Sequence, residues 1–128
     1  MPFSDFALRM RCDSKMKKTD KKIENQIRRV LTDLCEDMLK RIEGFQWLTH
    51  FVNYSNFPNS LNIVFILDTN EHLAKFKSDK AKDELIKQVD KTLSRIGIKV
   101  NNVNLHVTFD TEENCKKNNN GKWNERFR

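Results

Sequence analysis

Glycine is scarce in this 128-residue sequence, which has only Gly44, Gly97 and Gly121. That scarcity excludes the glycine-rich cradles, Gly-x-Gly-x-x-Gly and Gly-x-x-x-x-Gly-Lys-Ser/Thr, with which common nucleotide-binding enzymes bring backbone N–H groups up to phosphates. The three cysteines, Cys12, Cys35 and Cys115, are odd in number, far apart and free of any Cys-x-x-Cys spacing. No disulfide framework follows from them, and a reducing cytoplasm is the expected location. Among the histidines His50, His72 and His106, none lies three or four residues from another His, a Cys or a carboxylate, except Asp68 to His72 in an expected turn and His106 to Asp110 in an expected strand, where that spacing is not a helical metal site. No metal site, cofactor or catalytic residue is therefore assigned. Long apolar runs are missing too: none approaches the roughly 18 residues that span a bilayer, and Met1 to Ser14 has no uninterrupted apolar segment. No membrane partner or signal peptide is expected.

What is present is charge and clustered apolar sequence. Charged residues make up 33% of the chain and hydrophobic residues 38%, with a formal net charge of +6. The surplus is not evenly spread. From Met1 to Lys22 there are seven Lys or Arg against three Asp, and from Thr111 to Arg128 five against three Glu, whereas Ile23 to Asp110 balances 12 against 12. Attraction to a polyanion is thus carried by the two ends. Lys outnumbers Arg 16 to 8, which favours point contacts to phosphates over bidentate reading of bases.

Apolar residues Ile23, Ile27, Val30, Leu31, Leu34, Met38, Leu39 and Ile42 recur at helical spacing, with Thr19 or Asp20 as N-cap and Gly44 as terminator. Glu24, Arg28, Asp33, Glu36, Asp37 and Lys40 are assigned to the solvent face. Phe45 to Val52 alternates with aromatic and β-branched residues and reads as a strand. After a polar loop, Leu61 to Leu67 is apolar on both faces, the pattern of a central strand. Asp68-Thr69-Asn70-Glu71 is turn and N-cap chemistry, followed by a short helical turn at Leu73 to Phe76. A second main helix runs from Ser78 or Asp79 to Gly97. Val103, Leu105, Val107 and Phe109 alternate with Asn104, His106 and Thr108, a strand with one wet face. The tail turns at Asn118 to Gly121, after which Trp123 and Phe127 can dock on the body.

These readings predict an α+β fold: one small domain in α-β-β-α-β order, with a three-stranded sheet and helices packed on one face. Residues 1–18 form a basic lead, residues 19–110 the core domain and residues 111–128 a basic, Asn-rich tail. Phe45, Trp47, Phe51, Tyr54 and Phe57 have the chemistry to stack unpaired bases, but aromatics in a strand and its outgoing loop more often fill core. The lysines before the first helix oppose its macrodipole and gain nothing obvious in stability, which slightly favours a partner, although such a run more often serves as a solvated, solubilising lead.

Two resemblances follow from these patterns. The element order, with the closing strand Leu105-His106-Val107-Thr108-Phe109-Asp110 after a helix ending near Gly97, resembles the KH-like fold of ribosome-binding factor A over about Thr19 to Asn114. That resemblance implies RNA binding, although KH proteins often clamp the backbone with a Gly-x-x-Gly loop and this chain has none. Gly44-Phe45-Gln46-Trp47-Leu48-Thr49-His50, Phe57-Pro58-Asn59-Ser60-Leu61 and Asn120-Gly121-Lys122-Trp123 resemble an uncharacterised bacterial family sometimes labelled Fis-type regulators. It implies kinship without an activity, since a Fis-like regulator should end in a helix-turn-helix.

The expected function is a non-catalytic binding module, associated with RNA, DNA or the ribosome through Lys17, Lys18, Lys21, Lys22, Lys116, Lys117 and Lys122. The alternative is a protein-interaction or regulatory domain that uses an open sheet face or edge to meet a protein partner or to form a homodimer.

Overall fold

The computed structural model describes residues 17–127. Most of the expected basic lead, residues 1–16, lies outside the described residues. Helix α1 (Lys18–Arg41) leads through a turn to strand β1 (Phe45–Phe51). Strand β2 (Asn62–Leu67), helix α2 (Asn70–Ser78) and helix α3 (Ala81–Arg95) follow. Strand β3 (Val107–Thr111) then leads directly into helix α4 (Glu112–Asn119) and the short helix α5 (Trp123–Arg126). The sheet order is β1-β2-β3, with β2 antiparallel to β1 and parallel to β3. This is the small α+β domain with three strands that the periodicities predict, with more helix than they indicated.

Helix α1 buries Glu24, Ile27, Leu31, Leu34, Cys35 and Met38, a stripe in steps of three and four that lies along one side of the sheet. Its chain reverses at Gly44, where φ is +86° and a Cβ would lie 2.6 Å from both Asp68 Oδ1 and His72 Nδ1. Only glycine suits that turn, for its backbone angle and for the space.

Register between β1 and β2 shifts between Phe45 and Trp47, which pair with the consecutive residues Leu67 and Ile66. The extra residue, Gln46, is exposed, and the bulge sends Phe45 to one face and Trp47 to the other. Leu48 and His50 join Phe45 beneath α1, and β2 contributes Ile63, Phe65 and Leu67 to the same core. Helices α2 and α3 close it with Leu73, Phe76, Leu85, Val89 and Leu93.

The expected short helical turn at Leu73 to Phe76 is the nine-residue α2, whose N-cap Thr69 accepts a hydrogen bond from the His72 N–H. The third strand begins at Val107, not Val103. Residues Val103–His106 form a 3-10 turn instead, because the Asn102 side chain accepts from Asn104 N–H and His106 Nδ1 is held 2.6 Å from the Leu61 carbonyl oxygen.

The tail is also helical. Thr111 caps α4 by accepting from Asn114 N–H at 3.0 Å. Glu112 and Glu113 stand in its first turn and Lys116 and Lys117 in its last, each favourable to the macrodipole. Left-handed Asn120 and the Gly121 N–H bonded to the Cys115 carbonyl close the helix.

Helices α1 to α3 take the expected face of the sheet, and α4 with α5 lies on the other. Strand alternation directs Trp47, Thr49, Phe51, Val64 and Ile66 to this second face. Cys115 is buried there, Trp123 meets Trp47 edge-on at 5.1 Å, and Phe127 meets Phe51 at 5.0 Å. Glu112 Oε1 accepts from both indoles, Trp47 at 2.7 Å and Trp123 at 3.1 Å. Arg126 grips Asp110 with two hydrogen bonds of 2.5 and 3.0 Å.

One polar atom in this second core has no partner: the Oγ1 of fully buried Thr49. A near-isosteric valine removes the stranded hydroxyl while keeping the branched shape. Thr49→Val is expected to raise stability by about 1 kcal/mol, read as a higher denaturant midpoint at unchanged slope.

Candidate functional site

Lys17, Lys18, Lys21 and Lys22 lie together at the start of α1, all exposed, and none pairs with a carboxylate among the described residues. Lys17 occupies the N-cap position and makes no side-chain cap. Arg29 is exposed about two turns beyond Lys22, and of the two acids equally near Lys22 in sequence, Asp20 stands in the first turn while Glu24 is turned inward with only 4% exposure. The first turns of α1 therefore combine four ammonium groups with the positive end of a helix of 24 residues.

Lys116 and Lys117 are exposed in the last turn of α4, with Lys117 Nζ 4.0 Å from Glu113, and Lys122 precedes α5. The two groups of lysines thus belong to elements packed on opposite faces of the sheet.

At the carboxyl ends of the parallel strands, β2 and β3 finish alike. Asp68-Thr69 opens α2 and Asp110-Thr111 opens α4. In each pair the Asp carboxylate accepts from the next backbone N–H, at 2.6 and 2.8 Å, and the Thr hydroxyl caps the helix. Adjacent helix N-termini at such a position suit an anion. Here the seat is filled from within: Glu113 Oε1 accepts from Asn70 N–H at 2.9 Å, and Asn70 also binds Thr111 and Asn114. The arrangement splices the two strand ends together.

Beside it His72 lies between two carboxylates, with Nδ1 2.7 Å from Asp68 and Nε2 3.0 Å from Glu43. The hydrogen bond to Asp68 raises its pKa, aided by the nearby Glu43 and Glu71 charges, against a smaller opposing effect of desolvation. Burial pulls the Asp68 carboxyl upward, but hydrogen bonds from His72 and the Thr69 N–H together outweigh it and leave it lowered. Both ring nitrogens face acids, so the imidazolium is the form this clasp holds, and no nitrogen is left to act as a base.

The histidines and thiols do not converge. His50 Nε2 stands 3.0 Å from Glu24 Oε1, which also accepts from Tyr54 Oη at 2.7 Å, with His50 fully buried. The solvent-face assignment of Glu24 is thereby corrected. Its spacing from Ile27, Leu31 and Leu34 sets it on the buried stripe, and His50 and Tyr54 supply hydrogen bonds that allow a carboxylate there. His106 faces Leu61, while Cys115 sits across the sheet in α4. Burial raises the thiol pKa of Cys35 to about 11 and pushes that of Cys115 upward from its ordinary value, so both remain protonated near neutrality.

Among the described residues there is no group of His, Cys, Asp and Glu that could hold a metal ion, and no helix long and apolar enough to cross a membrane. No family model, curated protein or solved structure matches this chain.

Two outcomes follow from the charged groups. A folded-state pKa raised above 6.5 means that the His72 contribution is fully present below that value and is lost as pH rises through the raised one. Asp68, lowered from 3.8, loses its contribution only as pH falls through its depressed value. Unfolding midpoints measured from about pH 5 to 9 should decline above about 6.5, and His72→Gln should remove that decline. Separately, Glu24→Ala is expected to cost about 2–4 kcal/mol, more than Glu24→Gln, because it strands buried polar partners. Chemical denaturation of the two variants measures the difference.

Proposed function

We propose that this chain is a non-catalytic module that binds the phosphate backbone of RNA or DNA through the N-terminal turns of α1. The observation that carries the reading is the exposed set Lys17, Lys18, Lys21 and Lys22, gathered where a helix dipole opposes them, with Asp20 the one acid of the first turn and no ion pair to any of the four among the described residues. Cations so placed destabilise the helix, by a few tenths of a kcal/mol up to about 1 kcal/mol each. A bound polyanion reverses that sign, since phosphates gain from the ammonium groups and from the positive end of the helix dipole.

The element order supports a KH-like relationship: a helix and an antiparallel strand precede a β-α-α-β unit whose two strands are parallel neighbours. The α2–α3 connection is Asp79 and Lys80, without glycine, so the phosphate contacts are assigned to α1. Lys116, Lys117 and Lys122 play a secondary part. The first two already stabilise the carboxyl end of α4, and all three lie on elements across the sheet from α1. The alternative of a partner on an open sheet face loses its surface to α4 and α5, and only the strand edges remain for it.

Fluorescence anisotropy with single-stranded RNA, duplex RNA and duplex DNA tests the reading. Log affinity should fall with log salt by about 0.7 to 0.9 per phosphate contact, so replacing Lys17, Lys18, Lys21 and Lys22 together by Gln should flatten the slope by about 3. The same change at Lys116, Lys117 and Lys122 should alter it by less than about 1. Absence of binding to every probe at about 50 mM salt, or an unaltered slope in the α1 variant, overturns the proposal.

A further inference from the structure

The outer edge of β3 has no strand beside it among the described residues, since β3 ends the sheet and pairs only with β2. Edge strands of monomeric proteins are commonly blunted by a lysine, a proline or a bulge, which keep other strands away. The opposite edge, β1, carries such a device in the bulge at Gln46. Strand β3 runs in unbroken register with β2 from Val107 to Thr111 and contains no Lys, Arg or Pro. Its blunting features are its shortness, five residues, and the single charge of Asp110, which Arg126 pairs.

A second observation falls at the same place. Leu105, two residues before β3, is 79% exposed, the more exposed of the two large hydrophobics in this state among the described residues. Thr108 in the middle of β3 is exposed, and Val107 and Phe109 are only partly buried. An apolar side chain left in water at the mouth of an unguarded strand edge marks an interaction surface.

From these two observations we infer that the β3 edge pairs with the β3 edge of a second copy of this chain, in antiparallel fashion about a two-fold axis. Charge selects the occupant. A chain of net charge +6 repels its own copy at most approaches. From Asn101 to Phe109, however, it has no Lys, Arg, Asp or Glu, and the first charge after that run, Asp110, is already neutralised by the two-pronged contact from Arg126. Two such edges meet without an uncompensated like-charge pair. The strand's neutral β-formers that are not fully buried, Val107, Thr108 and Phe109, also give β-branched and aromatic cross-strand pairs of the kind that stabilise antiparallel ladders. A ladder of five residues per copy buries well below the roughly 1,600 Å² of a standard interface, so the dimer belongs to the weak, reversible class.

Sedimentation equilibrium on the full chain up to about 100 µM, where a micromolar interface is populated, reads the association directly. The expected result is a monomer–dimer equilibrium whose dissociation constant rises at least about tenfold, equivalent to 1.4 kcal/mol, in Leu105→Lys and in Thr108→Lys. Both side chains are exposed, so both variants should keep the wild-type circular dichroism and unfolding midpoint. Amide exchange of the wild type supplies a measurement independent of any variant: protection in Val107 to Thr111 should increase with protein concentration. A chain that stays monomeric at the highest concentration, a dimer of unchanged affinity in both variants, or exchange in β3 independent of concentration overturns the inference. Since neither variant touches the lysines of α1, nucleic-acid binding can fail or succeed without altering these outcomes.

Discussion

Strand β2 is the constraint on which the rest of the domain depends. Ile63, Phe65 and Leu67 point to one side and Val64 and Ile66 to the other, each with 3% exposure or less. A strand so apolar on both faces has to be covered twice. The first cover is large: α1, α2 and α3 bring a long apolar stripe and two amphipathic helices. The second, among the described residues, is drawn from the turns of α4 and α5, and its composition reflects their small apolar content. Helices α4 and α5 have few aliphatic residues to offer, so shielding falls to Cys115, to the two large rings of Trp123 and Phe127, and to the Arg126–Asp110 contact that fixes them in place. The tail is therefore part of the fold, although its sequence is mostly polar.

The same economy explains the shared ends of β2 and β3. Parallel neighbouring strands bring the starts of their following helices close together, and backbone N–H groups there need acceptors. Asp68, Thr69, Asp110, Thr111 and Glu113 supply them. Glycine 44 opens space for this corner from the other side, since any side chain at that position would displace Asp68 and His72. His72 then ties the α1–β1 turn to the end of β2 through Glu43 and Asp68. Several conspicuous polar residues of the sequence are thus spent on holding strand ends and turns.

What the sequence disclosed follows from this division. Apolar periodicity revealed α1, the double-faced β2 and the helix ending at Gly97, because burial writes directly into spacing. Polar placement was much less legible. Glu24 reads as solvent-exposed by its chemistry and as buried by its spacing, and the deciding contact comes from His50, which is far away in sequence. The Asn-rich run at Asn118 to Gly121 does turn, at left-handed Asn120 and Gly121, but the polar segment before it has too few apolar residues to show helix α4 by spacing. The bulge at Gln46 left no mark in an alternating pattern, yet it decides that Trp47 faces α5 and not α1.

Charge shows the same limit in another form. By composition the lysines of α1 and those of α4 are equivalent, two basic ends on a neutral body. In three dimensions they differ in sign of effect. Lys116 and Lys117 stand at a helix carboxyl end and lower its energy; Lys18, Lys21 and Lys22 stand at a helix amino end and raise it. A residue that stabilises its own element needs no partner to account for it. One that opposes its element's dipole, remains exposed and forms no ion pair among the described residues has no such account within them. Geometry rather than net charge separates the two groups, and it directs the search for a ligand to the first turns of α1.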